Sequence, residues 1–569
     1  MTATTASSST RADPLAVASL CEAFQHTVAT CGDEVALRTP GGTQEITWRG
    51  YGERVRRIAT GLASLGVRSG DTVAIMLVNR PEFALVDTAA LHMGAVPFSI
   101  YNTSSPEQIG YLFANAGNTV VVTEQAFLGR IREAGTSVRT IVSVDGGGAD
   151  VLALDDVERR AAAGFDFDAS WRAVTGDDLL TLIYTSGTTG PPKGVELTHA
   201  GMLAEMRACA AVIPVRRGDR GLSYLPSAHA ADRWSAHYTP MTFGMQTTYV
   251  PDIGALGAVL PEVRPTVWGG VPRVWEKIKA GLEARGVTDP ARLPEDARSE
   301  VRRRLGLDEV RWSVSGAAPI APEVLGFFTD LGLPICELWG MSELSCCATV
   351  NPPGAVRVGT VGPPLPGVEV RLADDGELLV RGPLLMRGYR GQPDMTAEVI
   401  DPDGWLHTGD VATIADDGYV TIVDRKKELI INSAGKNMSP ANIEQAVKAS
   451  HPLIGQAMAI GDGRAYNVAL LVLDPDACAA YAATAGLADG SAAALAEEPG
   501  VQQVVAEAVE AANARLSRVE QIKRHRILAT DWPPGGDELT PTMKLRRKPI
   551  AAKYADVIEA LYAADAPTS

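Results

Sequence analysis

Apolar and polar residues alternate in blocks whose period changes along the chain. Val73–Leu77 is a short, unbroken apolar run with β-branched members, and the segment after Pro81, Glu-Phe-Ala-Leu-Val-Asp-Thr-Ala-Ala-Leu-His-Met-Gly-Ala, reads as a helix. Strand-like and helix-like segments recur in this way through the first four hundred residues, which predicts α/β layering with substantial parallel sheet. Between Val368 and Val423 the texture shifts to short alternating strands, with Asp374-Asp375-Gly376 and Asp416-Asp417-Gly418 as hairpin signals. A β-rich subdomain is expected there. The dense charged run Asp424-Arg425-Lys426-Lys427-Glu428 then precedes Leu-Ile-Ile-Asn and a Gly-Lys-Asn turn, marking a boundary between two compact units. Alanine and glutamate dominate Asp476–Arg518, which predicts helix. The expected organisation is a flexible tail over 1–14, a large N-terminal domain over 15–423, a hinge over 424–428 and a small, mobile α+β C-terminal domain over 429–569.

Composition narrows the function classes. At 569 residues the chain exceeds what one core usually serves, and 46% hydrophobic with 21% charged residues is ordinary for a soluble globular protein. A formal net charge of −16 leaves no basic excess with which to release counterions, so nucleic acid is not expected as a main partner. The seven cysteines lack the paired spacing of a zinc site or disulfide scaffold. Reduced thiols and a cytoplasmic location follow as expectations, and Cys346-Cys347 read as packing residues. The first dozen residues lack the apolar stretch of a secretory signal, and no apolar run approaches the ~18–20 residues that cross a bilayer. Any membrane contact would be peripheral.

The sharpest chemistry lies where the apolar strand Leu179–Tyr184 runs into Thr185-Ser186-Gly187-Thr188-Thr189-Gly190-Pro191-Pro192-Lys193-Gly194. Glycines let backbone N–H groups turn toward an anion, hydroxyls add donors and Lys193 adds charge, so the loop suits phosphates. A plain surface turn does not need four hydroxyls, three glycines and a lysine in ten residues. A Walker loop would need Gly-Lys-Ser/Thr at its end, opening a helix; here Pro192 precedes Lys193 and Gly194 follows it. That spacing disfavours the alternative of a P-loop NTPase.

Tyr-Thr-Ser-Gly-Thr-Thr-Gly-Pro-Pro-Lys-Gly resembles the phosphate-loop signature of the acyl-adenylate-forming enzymes, and further motifs follow in that family's order. Ser315-Gly316-Ala317-Ala318-Pro319 looks like its adenine-side strand and turn, and Glu337-Leu338-Trp339-Gly340-Met341-Ser342-Glu343 is similar to its aromatic-Gly-Met-Thr-Glu block, with Trp339 in place of the usual tyrosine. Either ring can stack on adenine, although indole offers no phenolic hydroxyl. The resemblance implies that Glu343 and Thr185 hold Mg²⁺ with ATP oxygens, and that Asp410, in Gly404-Trp405-Leu406-His407-Thr408-Gly409-Asp410, binds the ribose hydroxyls. It further implies that Arg425 approaches ribose and phosphate, Lys427 is the hinge position, and Ser433-Ala434-Gly435-Lys436 runs along the pantetheine of coenzyme A. Lys544, in Leu539-Thr540-Pro541-Thr542-Met543-Lys544, matches the long-chain ligases' catalytic lysine, and His229 matches a histidine near the acyl carboxylate. Alone, each charge would more often be a solvated surface group and a lone histidine structural.

The family's reaction follows from this resemblance as an expectation. An AMP-forming ligase would adenylate a fatty acid with Mg·ATP and pass the acyl group to coenzyme A, the small domain turning between the steps. Ala95-Val96-Pro97, Tyr101–Gln108 and the helical insert after Asp476 look like the long-chain branch. The alternatives are an acyl-AMP ligase loading a separate acyl carrier protein, a ligase for a different carboxylic acid, and a catalytically dead nucleotide sensor. The presence of Lys193, Glu343, Asp410 and Lys544 speaks against the last.

Overall fold

A computed structural model describes residues 13–135, 138–185, 191–540 and 543–563. The expected strand at Val73–Leu77 is Thr72–Met76, buried at every position, and the expected helix is Pro81–Leu91, buried at nearly every position. Both are covered on all sides, which is why the strand is a continuous apolar run and not an alternation. Strand Thr72–Met76 pairs in parallel with Val96–Ser99 and with Val120–Thr123, and that sheet extends to Thr140–Ser143 and Leu152–Ala153 on one side. On the other side come Leu179–Thr185, its antiparallel partner Lys193–Thr198, and the edge strand Gly388–Tyr389, making eight strands. The hydroxyl-rich loop therefore joins two antiparallel strands. No helix follows it as a Walker loop would require.

A second sheet runs Val267–Gly270, Trp312–Ser315 and Ile335–Trp339 in parallel, closed by the antiparallel Thr349–Val350. The β-rich portion is an antiparallel sheet of Glu369–Leu372, Glu377–Arg381, Leu406–Ile414 and Val420–Arg425, with both Asp-Asp-Gly segments in its hairpins. Its last strand pairs Asp410 with Arg425 and Val411 with Asp424, so the first two residues of the expected hinge are sheet residues. The boundary falls after Arg425.

Beyond it, Ile454–Ile460, Asn467–Leu473 and Ile522–Leu528 form a three-stranded sheet. One face packs on Ile443, Val447, Val505 and Val509, the other on Trp532, Leu539 and Ile550, so the small domain owns its core. The Ala/Glu-rich stretch forms helices Pro475–Ala485, Ala492–Ala496 and Pro499–Asn513. Ser105-Pro106-Glu107-Gln108 has a local role as a complete capping box on helix Pro106–Ala116. No helix among the described residues is long and apolar enough to cross a membrane. All seven cysteines are buried as free thiols.

Candidate active site

Ser315 and Glu337 face each other near the carboxyl ends of two parallel strands, so the Gly316–Ala318 turn and the Trp339–Ser342 segment leave the sheet on the same edge. Loops at that edge are where open α/β sheets bind ligands. Ala317 adopts a left-handed backbone, φ 68°, to make the turn. Gly340 is required by a close approach: a Cβ there would sit 1.9 Å from the Cys346 carbonyl oxygen. Leu338 and Met341 pack against the large core, and Glu337 accepts a hydrogen bond from the Gly359 N–H while burial pushes its carboxyl up to about 7.

Asp410 lies on strand Leu406–Ile414, almost fully buried, with each carboxylate oxygen engaged. Arg425 Nε forms an ion pair with Oδ1 at 2.7 Å and the Trp339 indole N–H donates to Oδ2 at 2.9 Å. The indole thus supplies a donor to the carboxylate expected to hold ribose. Glu343 accepts from the Tyr389 hydroxyl at 2.9 Å, and the Lys193 ammonium sits 4.7 Å above the Tyr389 ring. Tyr389 escaped the sequence reading, because a Gly-Tyr-Arg edge strand carries no periodic or motif signal. Thr185 and Lys193 are register partners in the hairpin. Ser186, Gly187, Thr188, Thr189 and Gly190 lie outside the described residues.

His229 caps a short helix, and its Nδ1 accepts the Ala231 N–H at 3.1 Å. The ring proton is thereby assigned to Nε2. Burial, with Lys544 adding repulsion, lowers His229 to about 4, so it is neutral at neutral pH and offers Nε2–H as a donor. Lys544 reaches this cleft from the small domain while staying exposed to solvent. Crowding and Arg425 lower its pKa, opposed by Asp410, Glu428 and Glu343. Its carbonyl accepts the Thr540 N–H at 2.8 Å and Met543 takes a left-handed φ of 63°, a tight turn that presents the lysine.

The structure therefore gathers Trp339, Glu343, Asp410, Arg425, His229 and Lys544 about one cleft. The expected hinge and coenzyme A positions lie on exposed turns. Lys427 follows the last sheet strand, and Ser433-Ala434-Gly435-Lys436 curls around Asn432 Oδ1, which accepts the N–H groups of Ala434 and Lys436 at 3.0 and 2.9 Å.

An apolar cavity is lined by Met206, Ile213, Trp234, Phe243, Trp268 and Trp312, with Asp232 in its wall. The Ser223 hydroxyl donates to Asp232 at 3.2 Å and Asn79 donates to Ser223 Oγ at 2.8 Å. Burial raises the Asp232 carboxyl to about 7.

A buried carboxylate and a lysine carried by a second domain meet in one cleft of this two-domain chain. The family model described as AMP-binding enzyme matches residues 24–390, and that described as AMP-binding enzyme C-terminal domain matches 427–566. The chain belongs to the AMP-binding enzyme family. It is 54% identical over 451 residues to a Mycobacterium tuberculosis protein named as fatty-acid–CoA ligase FadD11, covering 73% of this chain and 79% of that one. It is 35% identical over 568 residues to the long-chain-fatty-acid–CoA ligase FadD15 of the same organism, covering 91% and 92%. Among solved structures, the anthranilate CoA ligase AuaEII with anthranoyl-AMP superposes with a TM-score of 0.76 at 19% identity, over 94% of this chain and 97% of that one. At that identity the likeness speaks for the fold.

Proposed function

We propose that this enzyme is an AMP-forming ligase that joins a long-chain fatty acid to coenzyme A. The observation that carries this reading is Lys544, held by the small domain near Asp410, Glu343 and His229. Near full-length likeness to long-chain-fatty-acid–CoA ligases supports the choice of acid and acceptor.

In the first step an oxygen of the acid attacks the α-phosphorus of ATP; the bond to the β-phosphate oxygen breaks and pyrophosphate leaves. Asp410 holds the ribose hydroxyls, sharing its oxygens with Trp339 and Arg425. His229 directs Nε2–H at the acid carboxylate, and the Lys544 ammonium stabilises charge developing on the phosphoryl and bridging oxygens. Glu343 and Thr185 offer hard oxygen donors, which fits Mg²⁺, an ion that takes one or two protein oxygens plus phosphate and water and would neutralise phosphate charge. In the second step the small domain turns about Lys427, withdraws Lys544 and brings Gly435 to the cleft. The CoA thiolate then attacks the acyl carbonyl, a C–S bond forms and AMP leaves.

Incubation with ATP, Mg²⁺ and acids of graded length, with and without coenzyme A, tests the reading. AMP and pyrophosphate should appear only with an acid, and C12–C18 acids should outperform acetate and benzoate, each buried methylene contributing up to ~0.8 kcal/mol. Stoichiometric ADP would overturn the reaction class. Acyl-AMP that accumulates without transfer to coenzyme A would assign the acceptor to a carrier protein.

A further inference from the structure

Glu205, Cys209 and Cys347 form a cluster that the proposed reaction does not use. Glu205 and Cys209 stand one turn apart on helix His199–Ala210, and Cys347 enters from the segment after Glu343. A carboxylate oxygen and both sulfurs lie within 4.8 Å of one another, with relative exposures of 0%, 3% and 0%. The cluster is rich in protons and short of acceptors. Cys209 Sγ–H donates to Glu205 Oε1 at 3.2 Å and Cys347 Sγ–H donates to the Thr349 carbonyl at 3.3 Å. The Trp234 indole and Cys347 backbone N–H groups approach the carboxyl, yet Oε2 has no aligned hydrogen-bond partner among the described residues. A fully buried carboxyl with an idle oxygen is a costly arrangement for a site that binds nothing.

We propose that Glu205, Cys209 and Cys347 form a binding site for a soft divalent cation of the zinc class in the wall of the apolar cavity. Two sulfurs and one oxygen are the donor set that such an ion selects over the hard Mg²⁺. Bonds of ~2.3 Å to sulfur imply sulfurs ~3.8 Å apart, a small contraction of the present spread. The two thiol protons leave to solvent as the sulfurs bind the cation, and Glu205 completes the donor set through its idle carboxyl oxygen. Cys209 lines the cavity, which gives the ion its path. Cys347 follows Ser345 and Cys346, whose φ values of 58° and 137° strain the chain just beyond Glu343. Drawing Cys347 toward the helix therefore pulls on the segment that carries Glu343 and narrows the acyl channel together.

Cd²⁺ titrated into the full-length, metal-stripped enzyme provides the test, read by the ultraviolet absorption of cadmium–thiolate bonds and by proton release in weak buffer. One equivalent should bind per chain with about two protons released. Cys209→Ser and Cys347→Ser should each weaken binding at least tenfold and halve the absorption, whereas Cys336→Ser, in a buried strand elsewhere, should change neither. Zn²⁺ should compete for the same equivalent, and Mg²⁺ should not. Absence of thiolate absorption in the wild type overturns the proposal whether or not the variants fold, as does absorption that survives in folded Cys209→Ser and Cys347→Ser.

Discussion

Arg233 and Asp87 meet where both side chains are 0% exposed, whereas the ion pairs that join the small domain to the large one stay in contact with water. The buried pair is part of a lattice. Arg233 donates to Asp87 at 2.6 Å, to the Tyr238 hydroxyl at 2.7 Å and to Ser99 Oγ at 3.0 Å, while His237 lies 2.9 Å from the other Asp87 oxygen. It knits helix Pro81–Leu91 and strand Val96–Ser99 to the π-helix Arg233–Tyr238 that follows His229. Across the domains, by contrast, Arg273 pairs with Asp474, Lys277 with Asp476 at 2.7 Å and Arg515 with Glu323 at 2.6 Å. Exposed pairs contribute about 0–1 kcal/mol each, while breaking a dry pair costs several. One wall of the active site is permanent, then, and the other is delivered by contacts weak enough to release.

The largest effect should come from breaking the permanent wall. Asp87→Ala strands a buried guanidinium, which should cost about 3–5 kcal/mol and lower the apparent unfolding temperature by roughly 5 °C. An unfolding temperature within ~1 °C of wild type would show that the lattice carries little. Lys544→Ala should do the reverse, leaving thermal unfolding unchanged and removing ~3 kcal/mol of transition-state stabilisation, about a hundredfold in adenylation rate. Presynthesised acyl-AMP with coenzyme A should still yield thioester at near the wild-type rate. Equal loss of both half-reactions in folded protein would mean that Lys544 is not the adenylation lysine or that the domains do not alternate.

The permanent wall was also the legible one. Thr72–Met76 and the two Asp-Asp-Gly hairpins follow from local periodicity and turn chemistry, which need no knowledge of what packs against them. Asp424-Arg425 misled because strand residues with one buried and one exposed charge look, in sequence, like the start of a charged linker. Asp424 accepts from Ser439 Oγ at 2.6 Å and from the Ala441 N–H at 3.1 Å, so the first residue of the expected hinge anchors the small domain's first long helix. The Trp339–Asp410 contact spans 71 positions and the Tyr389–Glu343 contact 46. Motif order could place each residue in a site but could not pair them. The Glu205–Cys209–Cys347 cluster was likewise beyond reach, since two of its members lie on one helix and the third more than a hundred residues away.

A third, intermediate effect concerns Asp232, on the permanent wall between lattice and cavity. Its carboxyl ionises near 4 in the unfolded chain and at about 7 in the folded one. The folded state thus keeps a proton that the unfolded state gives up; the contribution to stability is fully present below pH 4 and is lost as pH rises through 7. Asp232→Asn removes that dependence. The variant should gain about 2 kcal/mol relative to wild type between pH 5 and pH 8, read as a difference in unfolding temperature that widens with pH. A constant difference across that range would show that Asp232 does not titrate there.

The smallest effect probes the delivered wall. Arg273→Gln with Lys277→Gln alters helix Pro272–Glu283 on the large domain and leaves Asp474 in place, because Asp474 also caps helix Pro475–Ala485 by accepting the Ala477 N–H at 3.0 Å. Removing one exposed and one mostly buried pair should cost the lysine-in arrangement about 0.5–1 kcal/mol, a two- to fivefold shift. Because the same domain position favours adenylation and opposes thioester formation, the ratio of the two single-turnover rates should move by that factor toward the thioester. Salt supplies an independent reading of the same contacts. Raising ionic strength from about 0.05 to 0.5 M shortens the screening length to a few ångströms, so it should shift the wild-type ratio in the same direction and leave the double variant nearly unmoved. An unchanged ratio in the variant, or an equal salt response in both proteins, would show that these pairs do not hold the small domain in place and that packing around Lys544 itself does.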